Sequence, residues 1–225
     1  MKVFITNDKT LLDQVKHVTT APFFRIIFRP MNYLAHAYLS FNKPGILVGN
    51  MISDFVKGKK KYDYPEQIQQ GIAVHREIDR FTDTHPVTKE AKEIFRPAYR
   101  LYAGSLMDVI YDHFLALDEN EFTDESLKTF TLNTYTLLDQ FTDQFPEKFN
   151  RMYPYMKSQN WLYNYRYREG IEKSLAGVVR RAKYLEESDT AYFLFNEHYD
   201  QLKNLYQLFF PELKIMTVNF MQQFD

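Results

Sequence analysis

From Asn32 onward, apolar residues recur at spacings of three and four, and no stretch alternates apolar with polar positions long enough to build a sheet. Asn32 is placed to cap a helix running from Tyr33 to about Phe41, and Asn42-Lys43-Pro44-Gly45 carries turn chemistry. A second helix is predicted over Ile46 to Lys57, stopped by Gly58, with Lys59-Lys60-Lys61 in the loop that follows. Pro65 suits the first turn of a third helix reaching about Thr82, where Asp83-Thr84-His85-Pro86 interrupts the pattern. A fourth segment starts at Val87, and Pro97 kinks or splits it before a long helix to about Leu117. Further starts fall near Asp124, Pro146 and Glu169, and an aromatic helical pair begins around Ala191. The pattern predicts an all-α, single-domain bundle of about eight helices over residues 31–225.

Residues 1–30 read differently. Lys2, Lys9, Lys16, Arg25 and Arg29 dominate their charge, and the apolar run Phe23, Phe24, Ile26, Ile27, Phe28 is split by Arg25, too short and interrupted for a signal-peptide core. This segment is expected to be a variable extension or an over-called start ahead of Met31, with an added element on the body as the alternative.

Composition narrows the chemistry. The 225 residues include no cysteine, so disulfides and thiolate metal sites are excluded, and any metal must sit among His, Asp and Glu. No apolar run approaches the roughly 20 residues of a membrane span. A formal net charge of −1 offers no polybasic field for nucleic acid, so a cytoplasmic, non-membrane protein is expected. The 17 Tyr and 20 Phe are assigned to the core, where rings supply much of the buried area of a helical bundle.

Titratable residues concentrate between His36 and His113. His75 and Asp79 are four apart, which on a helix leaves them about 40° apart around the axis and roughly 6 Å along it, within reach of one ion. Asp108 and Asp112 repeat the spacing, with His113 adjoining, and Asp79 and Asp83 share it. Asp54 and His36 lie in apolar surroundings that rarely hold an unpaired charge. Ion pairing alone satisfies each pair, whereas a divalent cation neutralises several at once. Imidazole with carboxylate suits manganese, iron, magnesium or zinc, and spacing does not choose among them.

Four ordered segments carry a resemblance. Met31-Asn32-Tyr33-Leu34-Ala35-His36, Gly49 to Gly58, Gly71 to Asp83 and Asp108 to Leu115 are similar to successive motifs of the acyl carrier protein phosphodiesterase family, as is Arg168-Glu169-Gly170-Ile171-Glu172 with Arg180-Arg181 after it. The resemblance spans Met31 to about Thr217. It implies a distant relative of the HD phosphohydrolases, hydrolysis of the diester joining 4′-phosphopantetheine to the serine of holo acyl carrier protein, and manganese as cofactor. The His-Asp dipeptide of that wider group is absent. Its nearest counterpart is the reversed Asp112-His113.

On that basis Asp54, His75, Asp79 and Asp112 are expected to form the metal core, with His36 as a further ligand or as a partner to one. Asp108 and His113 are expected to orient water or protonate the leaving serine oxygen. Lys57, Arg76 and Arg80 are assigned to phosphate, with solvated helix faces as the alternative. Acyl carrier proteins are acidic, so Lys57, Lys59, Lys60, Lys61 and the stretch Arg166, Arg168, Lys173, Arg180, Arg181, Lys183 are expected to form a docking face. Two other functions fit the same residues: a metal phosphohydrolase acting on a small nucleotide or phosphate ester, and a helical binding protein without catalysis.

Overall fold

The computed structural model describes residues 33–182 and 188–224, without the side chain of Arg181. The N-terminal extension, the Asn32 cap and Lys183 therefore lie outside the described residues. Among those described there are eleven α-helices joined by short 3-10 turns, and no strand. Setting aside the six-residue first helix and the four-residue eighth, the count is close to the eight expected.

Helix α1 (Tyr33–Tyr38) is buried at its first five positions. It ends earlier than expected because Phe41 and Asn42 take left-handed backbone conformations, φ 47° and 58°, which helical propagation does not permit. That turn delivers Pro44 to the first position of α2 (Pro44–Ile52), where its missing N–H loses nothing, so α2 starts two residues before the expected Ile46. After Ile52 the chain tightens into a 3-10 turn at Ser53–Phe55 and, past Gly58 at φ 56°, a second at Gly58–Asp63 that carries the lysine run.

Helix α3 (Glu66–Thr84) crosses α2 at contact between backbones. A Cβ on Gly49 would stand 2.1 Å from the Ile68 carbonyl oxygen, and one on Gly71 would stand 2.3 Å from that of Ile46. His85 separates α3 from α4 (Pro86–Tyr99). Pro97 is accommodated inside α4, and the break falls at Arg100, φ 48°, before α5 (Ala103–Ala116). Every residue of α5 from Val109 to Ala116 is buried. Around this central helix pack α1, α4, α9 (Arg168–Arg181) and α11 (Tyr199–Met221).

The remaining helices are α6 (Asp124–Asp139), opened by a Thr123/Ser126 capping box, α7 (Glu147–Ser158), α8 (Trp161–Asn164) and α10 (Asp189–Glu197). Aromatic rings fill the spaces between layers, as the composition predicts. Tyr111 stacks on Phe209 with centroids 4.8 Å apart, and Phe145 meets Phe149 edge to face at 4.8 Å.

Candidate metal centre

Where α1, α2 and α3 meet, two imidazoles stack with centroids 4.0 Å apart. His36 comes from α1 and His75 from α3, and both are buried. Between them in sequence stands Asn50, fully buried on α2. Its side-chain N–H groups donate to the His36 carbonyl at 2.8 Å and to Ser40 Oγ at 3.1 Å, which fixes the amide orientation. Asn50 Oδ1 must then accept from His36 Nδ1, 2.7 Å away. The Asn50 backbone carbonyl, which can only accept, takes the Nδ1–H of His75 at 2.8 Å. With both rings donating through Nδ1, each presents Nε2 to the opposite side.

Those two Nε2 atoms are buried and have no hydrogen-bond partner among the described residues. Both aim at Asp79, one helical turn beyond His75. His36 Nε2 lies 3.4 Å from Asp79 Oδ1 and His75 Nε2 lies 3.2 Å from Asp79 Oδ2. Asp54, on the turn after α2, brings Oδ1 to 3.6 Å from His75 Nε2. Nitrogen lone pairs converging on carboxylate oxygens repel unless positive charge sits among them, as a proton or a metal cation. One ligand atom each from His36, His75 and Asp79 falls within 4.8 Å of the others, so this group can hold a metal ion. The donor set and the second hydrogen bond on each imidazole fit a divalent cation.

The electrostatics agree with a shared positive charge. Burial and the neighbouring His75 hold the His36 imidazole below its ordinary pKa, against the pull of Asp79. Burial also opposes protonation of His75, but Asp54 and Asp79 outweigh it and raise that imidazole to about 9. Burial would raise both carboxyls, yet the histidines depress Asp79 strongly and Asp54 less so. Asp79 is half exposed and forms the open side of the group.

The other titratable residues singled out in the sequence have different surroundings. Asp112 is fully buried, and its two oxygens accept the backbone N–H groups of Leu34 and Ala35 at 2.9 and 2.8 Å, with Tyr165 as a further partner. It anchors the start of α1 to α5 beside His36, and it is not among the residues whose ligand atoms lie within 4.8 Å of one another. His113 donates from Nδ1 to the Tyr165 carbonyl at 2.7 Å and accepts at Nε2 from the Tyr199 hydroxyl at 3.0 Å, so both ring nitrogens are engaged. Burial lowers its pKa to about 4. Asp108 stands within electrostatic reach of the group, and burial, Asp79 and Asp83 together push its carboxyl well above the usual range.

Among the cations, Lys57 and Lys60 share a cleft with Asp54. Arg76 donates to the Val56 carbonyl at 3.2 Å, which ties it to the same turn. Arg80 is committed to Glu77. Lys59 is exposed, Lys61 lies 4.8 Å over the Tyr62 ring, and Arg180 is exposed on α9. Asn50 was the residue that spacing did not single out, although an amide on the buried, otherwise apolar α2 is itself a signal, because a buried amide requires partners. No helix among the described residues is long and apolar enough to cross a membrane.

Comparison with known proteins agrees with these motifs. No solved structure matches the chain. The chain is 33% identical over 190 residues to the acyl carrier protein phosphodiesterase of Enterobacter sp. (strain 638), covering 84% of this chain and 98% of that protein. The protein of that name from Klebsiella pneumoniae subsp. pneumoniae is 34% identical over the same shares, and the one from Yersinia pestis is 32% identical over 81% of this chain and 95% of its own length. The family model described as acyl carrier protein phosphodiesterase matches residues 31–213, a span that includes His36, Asp54, His75 and Asp79, and the chain belongs to that family.

Proposed function

We propose that this chain hydrolyses the phosphodiester between 4′-phosphopantetheine and the carrier serine of holo acyl carrier protein, releasing the apo protein. The observation that carries this reading is the pair of buried Nε2 atoms, oriented by Asn50, that converge on Asp79 in a member of this family. His36, His75 and Asp79 hold a divalent cation, with Asp54 as a further oxygen donor, and manganese is the proposed metal. Such a cation supplies Lewis acidity and charge neutralisation at a phosphodiester.

The protein's own contributions surround that group. Asn50 keeps the Nδ1 protons of both imidazoles away from the ligand side, through its side chain for His36 and its backbone for His75. The half-exposed Asp79 leaves one side open to an incoming diester. Asp108, whose carboxyl keeps its proton to unusually high pH, is assigned to protonate the leaving serine oxygen. His113, fully hydrogen-bonded, instead fixes α5 against the Tyr165 segment and α11.

Lys57 to Lys61 flank the Asp54 turn, and with Arg180 they are the proposed docking cations for the acidic carrier protein. The test is mass spectrometry of purified holo carrier protein incubated with the enzyme and manganese, with magnesium, iron and zinc in parallel. Loss of one phosphopantetheine mass is expected. An unchanged mass under every metal would refute the reading.

A further inference from the structure

Helix α11 packs one face into the core through Phe209, Phe210 and Leu213. Its opposite face carries Leu208, Pro211, Ile215 and Val218, whose spacing of three, four and three residues sets them in one seam. Leu208 and Ile215 are 61% and 62% exposed, and Val218 is 42% exposed. The outer face of a solvated helix is ordinarily charged and polar. Here the exposed residues from Asn204 to Gln222 include a single charge, Glu212, and the remaining polar ones, Asn204, Gln207, Asn219 and Gln222, are all amides. An apolar seam edged by amides has the composition of a covered surface, from which charge is depleted.

Position selects what covers it. On the surface of α11, Lys214 lies between Pro211 and Val218, three residues after one and four before the other, and its Nζ donates to the Tyr38 hydroxyl at 3.0 Å. The end of α1 therefore abuts the edge of the seam. Helix α1 has six residues, so Tyr33 stands only about 8 Å along its axis from Tyr38. Phe28 precedes Tyr33 by five residues, a reach of up to roughly 17 Å. The apolar run Phe23, Phe24, Ile26, Ile27, Phe28 is thus tethered within range of the seam, which is about 15 Å long, a span that six residues of chain can cover. Charge agrees as well, because residues 1–30 carry five Lys and Arg against Asp8 and Asp13, and the seam's one charge is the carboxylate of Glu212. Four side chains offer a few hundred Å², short of the roughly 800 Å² per partner that a stable complex of two separate molecules buries. A tethered segment needs less, since its effective concentration is of millimolar order.

We propose that residues 23–28 dock on the Leu208–Val218 seam of α11, which makes the N-terminal segment an added element on the body of this chain. The proposal does not depend on the phosphodiesterase reading above.

Limited trypsin digestion of the full chain, read by mass spectrometry, tests it, because the Arg25–Ile26 bond lies inside the run. That bond should be cut at least about tenfold faster in Leu208→Asp and Ile215→Asp than in wild type, with Ile215→Ala in between. Leu101→Asp, at a 97% exposed position on the turn between α4 and α5, should be cut like wild type. Equal cleavage of wild type and the seam variants, or equal acceleration by Leu101→Asp, overturns the proposal. The absence of native cysteine permits a second measurement that needs no destabilised variant. Under mild oxidation, Ile27→Cys should form an intramolecular disulfide with Leu208→Cys or with Ile215→Cys, and not with Leu101→Cys. No disulfide with either seam position overturns the docking. A doubled mass in light scattering that Ile215→Asp halves overturns it in favour of a second copy of the chain.

Discussion

His36, His75 and Asp79 in one group, and Asp112 and His113 in another, are built from the same residue types on neighbouring helices, yet their atoms end up in opposite states. In the second set every polar atom has a partner: two backbone amides and Tyr165 on Asp112, a carbonyl and a hydroxyl on His113. In the first, each imidazole is tied down at Nδ1 and left without a partner at Nε2. Spacing is blind to this difference. What separates a ligand site from a structural one is the completeness of hydrogen bonding, since an orphaned buried acceptor is retained only where something else satisfies it.

The sharpest way to break the comparison is to exchange consequences between the two sets. Asp79→Ala should reduce turnover of holo carrier protein by at least about a hundredfold and abolish the thermal stabilisation that manganese gives to wild type, because the cation loses a donor. Its metal-free thermal midpoint should fall only by what the loss of one carboxylate from the His75 ion pair costs, because Asp54 still faces that imidazole. Asp112→Ala should do the reverse. Stranding two buried amides lowers metal-free stability by about 2 to 4 kcal/mol, measured by chemical denaturation, while manganese still raises the midpoint. Equal behaviour of the two variants in both assays would dissolve the distinction.

A pH series sharpens the structural side. His113 is held near 4 in the fold, below its unfolded value near 6.5, so its neutral form is favoured by folding. The stability it contributes is fully present above about pH 6.5 and is lost as pH falls toward 4, by about 3 kcal/mol at most. Denaturation of the metal-free protein at pH 7 and pH 4.5 should show that slope, and His113→Gln should flatten it.

The smallest expected effect concerns Asn50. Asn50→Ala removes the acceptor that orients His36 but leaves the backbone carbonyl that orients His75, so manganese affinity should fall about 10- to 100-fold and not vanish. Competition against a fluorescent chelator measures it. An unaltered affinity would mean that ring stacking alone positions His36.

Much of this was legible before any coordinates. The 3.6-residue period placed α3, α6 and α7 to within two residues or so of their starts, because each opens on a capping or proline signal that acts locally. The early end of α1 was not legible, because a left-handed Phe41 is imposed by packing and has no propensity signal. His75 and Asp79 were paired from their i, i+4 relation. The roles of Asp112 and His113 were not recoverable in that way, because their partners, Leu34, Ala35, Tyr165 and Tyr199, lie 52 to 86 residues away in sequence. Long-range hydrogen bonds leave no periodicity to read.

The glycine crossing of α2 and α3 bears on how this centre ages in evolution. Gly49 adjoins Asn50, and Gly71 precedes His75 by one turn, so the gap between the Asn50 carbonyl and the His75 ring is gauged by main chain resting on main chain. No side chain acts as a spacer there. A single methyl group at either position would wedge the helices apart and so reset the distance between the Asn50 carbonyl and the His75 ring.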